Sequence, residues 1–336
     1  MPRIRVTEKS DEVQAATWQE QITARVRAGK LVPLISAAVG NDLALGGQAA
    51  LEEKYAKYSK YTLDQRGLPH MAQVRSLIVE QLVDPLAIKE DYINFVKNHL
   101  FDLAIAADVS EEDRAEVEEK FDELTFADFC QQLGYPRFGP ERRDALLTLA
   151  SFPVPIYLTT GYHNFMEVAL KFVGKQPRTE FSRWHDDLKR IPTVFDGVYV
   201  PTKNEPLVYH LHGYDAYPAS LVLTEDHHLK FLVDCSREVG RDTDPIHIRV
   251  REAVSASSLM LLGYDLQSWE FRSILWGLIR RRSQSLTSVT SIQLQPSEIE
   301  KRYCDRYLGS EEIQLKVYWG SVEEYLQGVA QAVSND

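Results

Sequence analysis

Leu31-Val-Pro-Leu-Ile-Ser-Ala-Ala-Val-Gly-Asn-Asp-Leu-Ala-Leu-Gly-Gly47 joins a short apolar run to a run of small residues and glycines. Leu31 to Ile35 reads as a short buried strand. Pro33, which has no N–H to give to a ladder, implies that one side of that strand is incompletely paired. Ser36 to Gly47, small and glycine-containing, reads as a loop that opens a helix running through Tyr58. A strand, a small-residue loop and a helix in succession bring backbone amides to a helix N-terminus, where phosphate binds well.

Upstream, residues 11 to 28 read as an amphipathic helix with Val13, Ala16, Trp18, Ile22, Val26 and Ala28 among polar neighbours, ended by Gly29. Downstream, residues 63 to 150 contain no strand pattern but helical ones at Met71 to Val83, Ile88 to Leu103 and Glu111 to Leu133. The acidic run Glu111-Glu112-Asp113, continued by Glu116, Glu118 and Glu119, reads as a solvated helix face. Strands resume at Pro155 to Thr159, in the run ending at His212, and at Leu259 to Leu262, Ser288 to Leu294 and Ile313 to Trp319. Between and after them lie helical patterns at 164–172, 225–233, 244–256 with Pro245 in its first turn, 269–282, 297–307 and 322–333, while residues 173 to 206 read as one long loop. Strands alternating with helices predict an α/β protein with a mostly parallel sheet, helices on both faces and an inserted helical subdomain. The expected organisation is 1–62 for the start of the sheet domain, 63–150 for the insertion and 151–336 for the remainder.

Composition narrows the class. A chain of 336 residues that is 44% hydrophobic and 26% charged is ordinary globular material and excludes a mainly disordered protein. The net charge of −11 disfavours direct nucleic-acid binding, which rests on Lys and Arg neutralising phosphates. The basic run Arg280-Arg281-Arg282 falls at a predicted helix C-terminus, where it complements the helix dipole. Cys130, Cys235 and Cys304 form no CxxC pair, which excludes a four-cysteine zinc ribbon and a disulfide framework and fits a reducing compartment. The N-terminus, Met1 to Val6, has no apolar leader core, and no stretch reaches the ~18 apolar residues of a membrane span. A cytoplasmic protein without a membrane partner is the expectation.

Two strand ends hold candidate chemistry. In Leu207-Val-Tyr-His-Leu-His-Gly-Tyr214, His212 stands where a strand gives way to Gly213, and is read as presented to a ligand rather than buried. Imidazole exchanges a proton near its unperturbed pKa of about 6.5. His210, two residues earlier on the same strand, is expected on the same face as His212, as a residue that packs or hydrogen-bonds in the strand interior or as a partner that supports His212. Gly263 and Tyr264 end another strand, and open α/β sheets bind ligands beyond the carboxyl ends of their strands. Asp265 is a candidate acceptor for a ligand hydroxyl, or a turn former. Asn164 reads as a helix N-cap, with Glu167 completing a capping box. His227 and His228 diverge by about 100° on a helix and make poor co-ligands, so no metal is assigned.

Four segments together resemble the sirtuin-like domain of prokaryotic antiphage-defence proteins. They are Gly29 to Gly40, Tyr157-Leu-Thr-Thr-Gly-Tyr-His-Asn-Phe-Met-Glu167, Val208-Tyr-His-Leu-His-Gly213 with Leu221-Val-Leu-Thr-Glu225, and Leu261-Leu-Gly-Tyr-Asp-Leu-Gln-Ser-Trp-Glu-Phe-Arg272. The resemblance implies a Rossmann-like domain that takes NAD and, on infection, cleaves it to nicotinamide and ADP-ribose. The alternative is a catalytically inactive subunit that binds NAD or ADP-ribose or scaffolds a defence complex. It places cofactor contacts at Ser36, Ala37, Ala38, Gly40, Thr159, Thr160, Gly161, Gly213, Gly263, Tyr264 and Asp265, and chemistry at His212, Asn164 and His163, without zinc. It also implies a homo-oligomer or a separate partner such as a translocase ATPase or an Argonaute-like protein. Four positions depart from the family pattern: Ser36 and Ala38 in Ser36-Ala37-Ala38, which stands for Gly-Ala-Gly, Gly161 for the asparagine that orients ribose or water, and His163 for an aspartate.

Overall fold

The computed structural model describes residues 20–61, 67–82, 84–107, 109–139, 144–241, 243–265, 268–279 and 321–334, with the backbone alone of 5–7, 12–19, 289–293 and 315–319. Among the described residues eight strands form one sheet: β1 (Arg5–Thr7), β2 (Leu31–Ile35), β3 (Ile156–Thr159), β4 (Arg178–Phe181), β5 (Leu207–His210), β6 (Ser258–Leu262), β7 (Val289–Gln293) and β8 (Leu315–Trp319). Their spatial order is β1-β8-β7-β6-β2-β3-β5-β4, and every pairing is parallel.

A parallel strand in the middle of such a sheet is covered on both faces, so it is written as a continuous apolar run. Leu31–Ile35 and Ser258–Leu262 are buried at every position. Alternation sorts their side chains between two cores. Leu31, Ile35, Tyr157, Val208, Met260 and Leu262 face one layer of helices, with Tyr92, Phe126, Phe165 and Leu326. Val32, Leu34, Leu158, Tyr209, Leu259 and Leu261 face the other, with Phe231, Val250, Phe271 and Leu278. Pro33 sits opposite Met260 of β6, while β3 pairs only with Leu34 and Ile35, so the incomplete pairing expected from the proline lies on the β3 side.

Several elements differ from expectation. Ser36 to Gly47 is not a loop. Ser36 caps a helix, Ala37–Ala44, that starts directly after β2, and Gly46 and Gly47, both at positive φ, join it to the helix Gln48–Tyr58. Alanine in place of glycine favours helix by nearly 1 kcal/mol per residue, which winds this segment up. The run Glu111 to Leu133 is two helices, Glu111–Glu119 and Phe126–Gln132, because Thr125 caps the second by accepting from the Asp128 N–H. The supposed loop 173–206 contains β4, an edge strand with the sequence Arg-Thr-Glu-Phe, whose lack of apolar alternation hides it. The helix placed at 244–256 starts at Ile248 behind the His247 cap. Between β2 and β3 the described residues form helices and no strand, and those helices pack into the same core as the sheet. Arg280 to Arg282 and the helix expected at 297–307 lie outside the described residues.

Candidate functional site

The sheet order reverses at β2: the chain proceeds to β3 on one side and to β6 on the other. Ligands of open α/β sheets bind at such a switch, beyond the carboxyl ends of the strands. There the ends of β2, β3 and β6 meet. The Ser36 N–H donates to the Leu262 carbonyl and the Thr160 N–H to the Ile35 carbonyl. Thr159 Oγ1 also donates to Ile35 O at 3.1 Å and accepts the Gly161 N–H at 2.9 Å, closing the turn after β3.

At the start of the Ala37–Ala44 helix a carboxylate is already in place. Glu270, from the helix Trp269–Ile274, accepts the Ala37 N–H at 3.1 Å, and Ser36 Oγ stands 3.1 and 3.0 Å from its two oxygens. Thr160 Oγ1 donates to it as well, and Tyr264 OH lies 3.3 Å from the same hydroxyl. The Ala38 N–H is taken by Ser36 Oγ at 3.2 Å. Burial raises the Glu270 pKa above the usual carboxylate range, against the lowering effect of its donors.

His163 is 5% exposed, stacks on Phe165 at 3.8 Å between ring centres, and leaves both ring nitrogens without a hydrogen-bond partner. Burial, and secondly the neighbouring His210, hold its pKa down to about 3, so the ring is neutral. It lies against Gly40 and Gly161: a methyl group on Gly40 would overlap the imidazole, and one on Gly161 would stand 3.1 Å from its Cε1. The volume that an asparagine at 161 would need is therefore partly taken by His163. Asn164, half-buried, begins the helix Phe165–Phe172 but makes no side-chain cap bond, so the expected capping box is absent. Glu167 is drawn off to His210 and Thr179.

His210 and His212 diverge. β5 stops at His210, and the turn that follows carries His212 to the opposite core, so the shared face expected from strand alternation does not exist. His210, fully buried, donates from Nδ1 to the Gly161 carbonyl at 2.7 Å and pairs through Nε2 with Glu167 at 2.9 Å. Burial lowers its pKa, but Glu167 and the Gly161 carbonyl outweigh that and raise it. Beside them Asp215, 2% exposed, accepts the Ala127 N–H, and burial pushes its pKa up to about 6. His212 is buried, not presented: it is 5% exposed, with His228 and Phe231 edge-on at 5.0 and 5.1 Å. Burial and His228 depress its pKa well below the ordinary value. Its Nε2 meets Ser273 Oγ at 3.0 Å. The only proton of that hydroxyl goes to the Glu270 carbonyl at 2.9 Å, so Ser273 accepts from Nε2–H and Nδ1 is the nitrogen free to take a proton.

Gly213 and Gly263 adopt positive φ of 96° and 74°. A side chain at Gly213 would overlap the Ser220 carbonyl, and one at Gly263 would stand 2.5 Å from Val39, so both are required for packing. Tyr264 is fully buried; Asp265 is exposed, and its carbonyl accepts the Ser268 N–H at 3.1 Å. The sequence does not single out Glu270, Ser273 or Asp215, and it gives Glu167 a capping role in place of its bonds to His210 and Thr179. Buried acids carry no local signature, although Ser268, capping the Phe271 N–H, does mark the start of the helix that bears Glu270 and Ser273. To one side, a cavity of about 520 Å³ is lined by residues including Lys89, Trp184, Ala219 and Lys230.

Among the described residues no cluster of His, Cys, Asp and Glu could hold a metal, and no helix is long and apolar enough to cross a membrane. No curated protein matches the chain. Residues 155–315 match the family of the SIR2-like domain. The match takes in β3 through β7 with the Glu270 helix, and Ser36 to Gly40 precede it. Residues 155–315 are thus similar to a SIR2-like domain, and they supply most of the switch-point edge of an all-parallel sheet.

Proposed function

We propose that the chain takes NAD across the carboxyl ends of β2, β3, β5 and β6 and hydrolyses its nicotinamide–ribose bond. The observation that supports this best is an anion seat at the switch point, Ser36 and the Ala37 amide, bordered by a buried imidazole with two unpartnered nitrogens. Ser36, Ala37 and Ala38 would face the pyrophosphate, where Gly40 leaves room for His163. Thr159, Thr160 and Gly161 would line the ribose, with Tyr264 and Asp265 opposite and Gly213 and Gly263 holding the turns. In the reaction, water bonds to the anomeric carbon, the electron pair of the C–N bond leaves with neutral nicotinamide, and the water proton passes to His212 Nδ1. His163 and Asn164 are the remaining polar groups at hand. Little push is needed for such a leaving group; orientation and stabilisation of the ribosyl cation dominate.

Gly161, with no amide to orient ribose or water, favours a second reading, an inactive subunit that retains NAD or ADP-ribose binding. Nicotinamide release from NAD, measured on the purified chain over a range of concentrations that drive self-association, separates the two. Hydrolysis predicts release that falls about 10²-fold or more in His212→Ala. Retained ADP-ribose binding with no release in any state supports the second reading. Restoring the amide calls for Gly161→Asn together with His163→Ala, because His163 crowds that position.

The wider role we infer is NAD depletion in antiphage defence by a cytoplasmic protein, triggered by self-assembly or by a partner of the translocase ATPase or Argonaute-like kind. Residues 63–150 serve in that reading as an inserted helical subdomain, and its exposed acidic helix Glu111–Glu119 as a contact surface.

A further inference from the structure

We infer that Glu270 is an internal stopper: its carboxylate occupies the anion seat that a phosphate must enter, and the helix Trp269–Ile274 must move for the site to open. This regulation rests on the proposed NAD reading. Three donors that a phosphate oxygen would use, the Ala37 N–H, Ser36 Oγ and Thr160 Oγ1, are all directed at Glu270. Two anions cannot share these donors at low dielectric without a large electrostatic cost. One turn further along the helix Ala37–Ala44, Gly40 is met by the ring of His163, which is buried with both nitrogens unpartnered. A ligand that displaces Glu270 would meet a polar side chain that has nothing else to bond.

The same helix ties the seat to the proposed base. Ser273, one turn on, gives its proton to the Glu270 carbonyl and accepts from His212 Nε2. Movement of that helix as a unit would therefore lift the carboxylate from the seat and carry Ser273 away from His212 together. The helix continues at Leu275–Ile279 as a π-helical turn, a geometry that recurs at functional sites. Closed seat and held base are one state; open seat and freed base are the other.

The test is binding of two probes, inorganic pyrophosphate and ADP-ribose, to the full-length wild type, Glu270→Gln and Glu270→Ala, by calorimetry. Thermal unfolding of each variant serves as the control for folding. The glutamine retains the shape and the accepting carbonyl, so it remains informative if the alanine variant unfolds. If the competent state is the minor one, removing the charge tightens pyrophosphate binding by about tenfold or more. A matching gain for ADP-ribose supports both the stopper and the NAD reading. A gain for pyrophosphate without any ADP-ribose binding upholds the stopper and overturns the NAD reading. Equal affinities of wild type and folded variants for both probes overturn the stopper while leaving the NAD reading in place. Weaker binding by the variants also overturns it, because Glu270 would then be a ligand contact. No binding of either probe by any folded variant overturns both.

Discussion

At the scale of single residues, the site is organised by close approaches that glycine permits. Gly40 has its imidazole neighbour in the space a methyl group would fill. Gly40→Ala should therefore destabilise the protein by about 1–3 kcal/mol through overpacking, and His163→Ala in the same chain should recover most of the loss. Denaturant unfolding of the two single variants and the double variant checks this; purely additive effects would show that the ring and the glycine are independent. The buried histidines make a second prediction. Burial holds His228 neutral down to a pKa of about 3, whereas the unfolded chain takes up that proton near 6.5. Between those values the unfolded state binds the extra proton, so stability falls as pH drops through this window, by about 2 kcal/mol per such histidine between pH 7 and pH 5. His163 and His227 act in the same direction, while Asp215, with its folded pKa raised to about 6, acts in the opposite one. His228→Phe, which preserves a ring edge against His212, should narrow the stability difference between pH 7 and pH 5 by that amount. An unchanged difference would mean that His228 is protonated in the folded protein. His212 shows where such residues escape sequence reading: its glycine neighbour marks a turn, but only the packing of His228 and Phe231 decides that the turn points inward.

At the scale of elements, the central strands are legible because full burial on both faces writes them as apolar runs, as in Leu31–Ile35 and Ser258–Leu262. The edge strand β4 is not, because a strand with one neighbour needs no such run and its Glu180 is held by Arg183 and the Val194 N–H rather than by hydrophobic contact. The helix Ala37–Ala44 escaped notice since small residues read equally as a loop, and Ser36 capping tips the balance. Capping by side chains also sets the helix Glu225–Arg237, where Thr224 accepts the His227 N–H and His227 Nδ1 accepts the Thr224 N–H. Thr224→Ala should cost about 1 kcal/mol, measured by chemical denaturation, and a loss near zero would show that the histidine alone suffices. The element that sequence reasoning undervalued most is Trp269–Ile274. One of its turns places Glu270 on the anion seat and Ser273 on His212, a coupling that no pattern of hydrophobic spacing announces.

At the scale of the whole molecule, the topology brings together four segments separated by more than two hundred residues of chain, and that convergence is what the local motifs by themselves only suggest. The acidic helix Glu111–Glu119 lies far along the chain from those strand ends, with Val117 as its buried residue. Reversing the exposed charges at Glu112, Glu116 and Glu119 should leave stability within about 0.5 kcal/mol and ADP-ribose binding unchanged, while altering the oligomeric state seen by light scattering. An unaltered assembly state would remove that face as a contact. Both the proposed NAD site and the Glu270 stopper require phosphate to enter at Ser36 and Ala37. A crystal structure of the full chain with ADP-ribose tests it most directly. Pyrophosphate oxygens are expected on the Ala37 amide and Ser36 hydroxyl, with Glu270 withdrawn and His163 bonded to the ligand. ADP-ribose lodged instead in the cavity beside Lys89 and Trp184, with Glu270 still on the Ala37 amide, would contradict it.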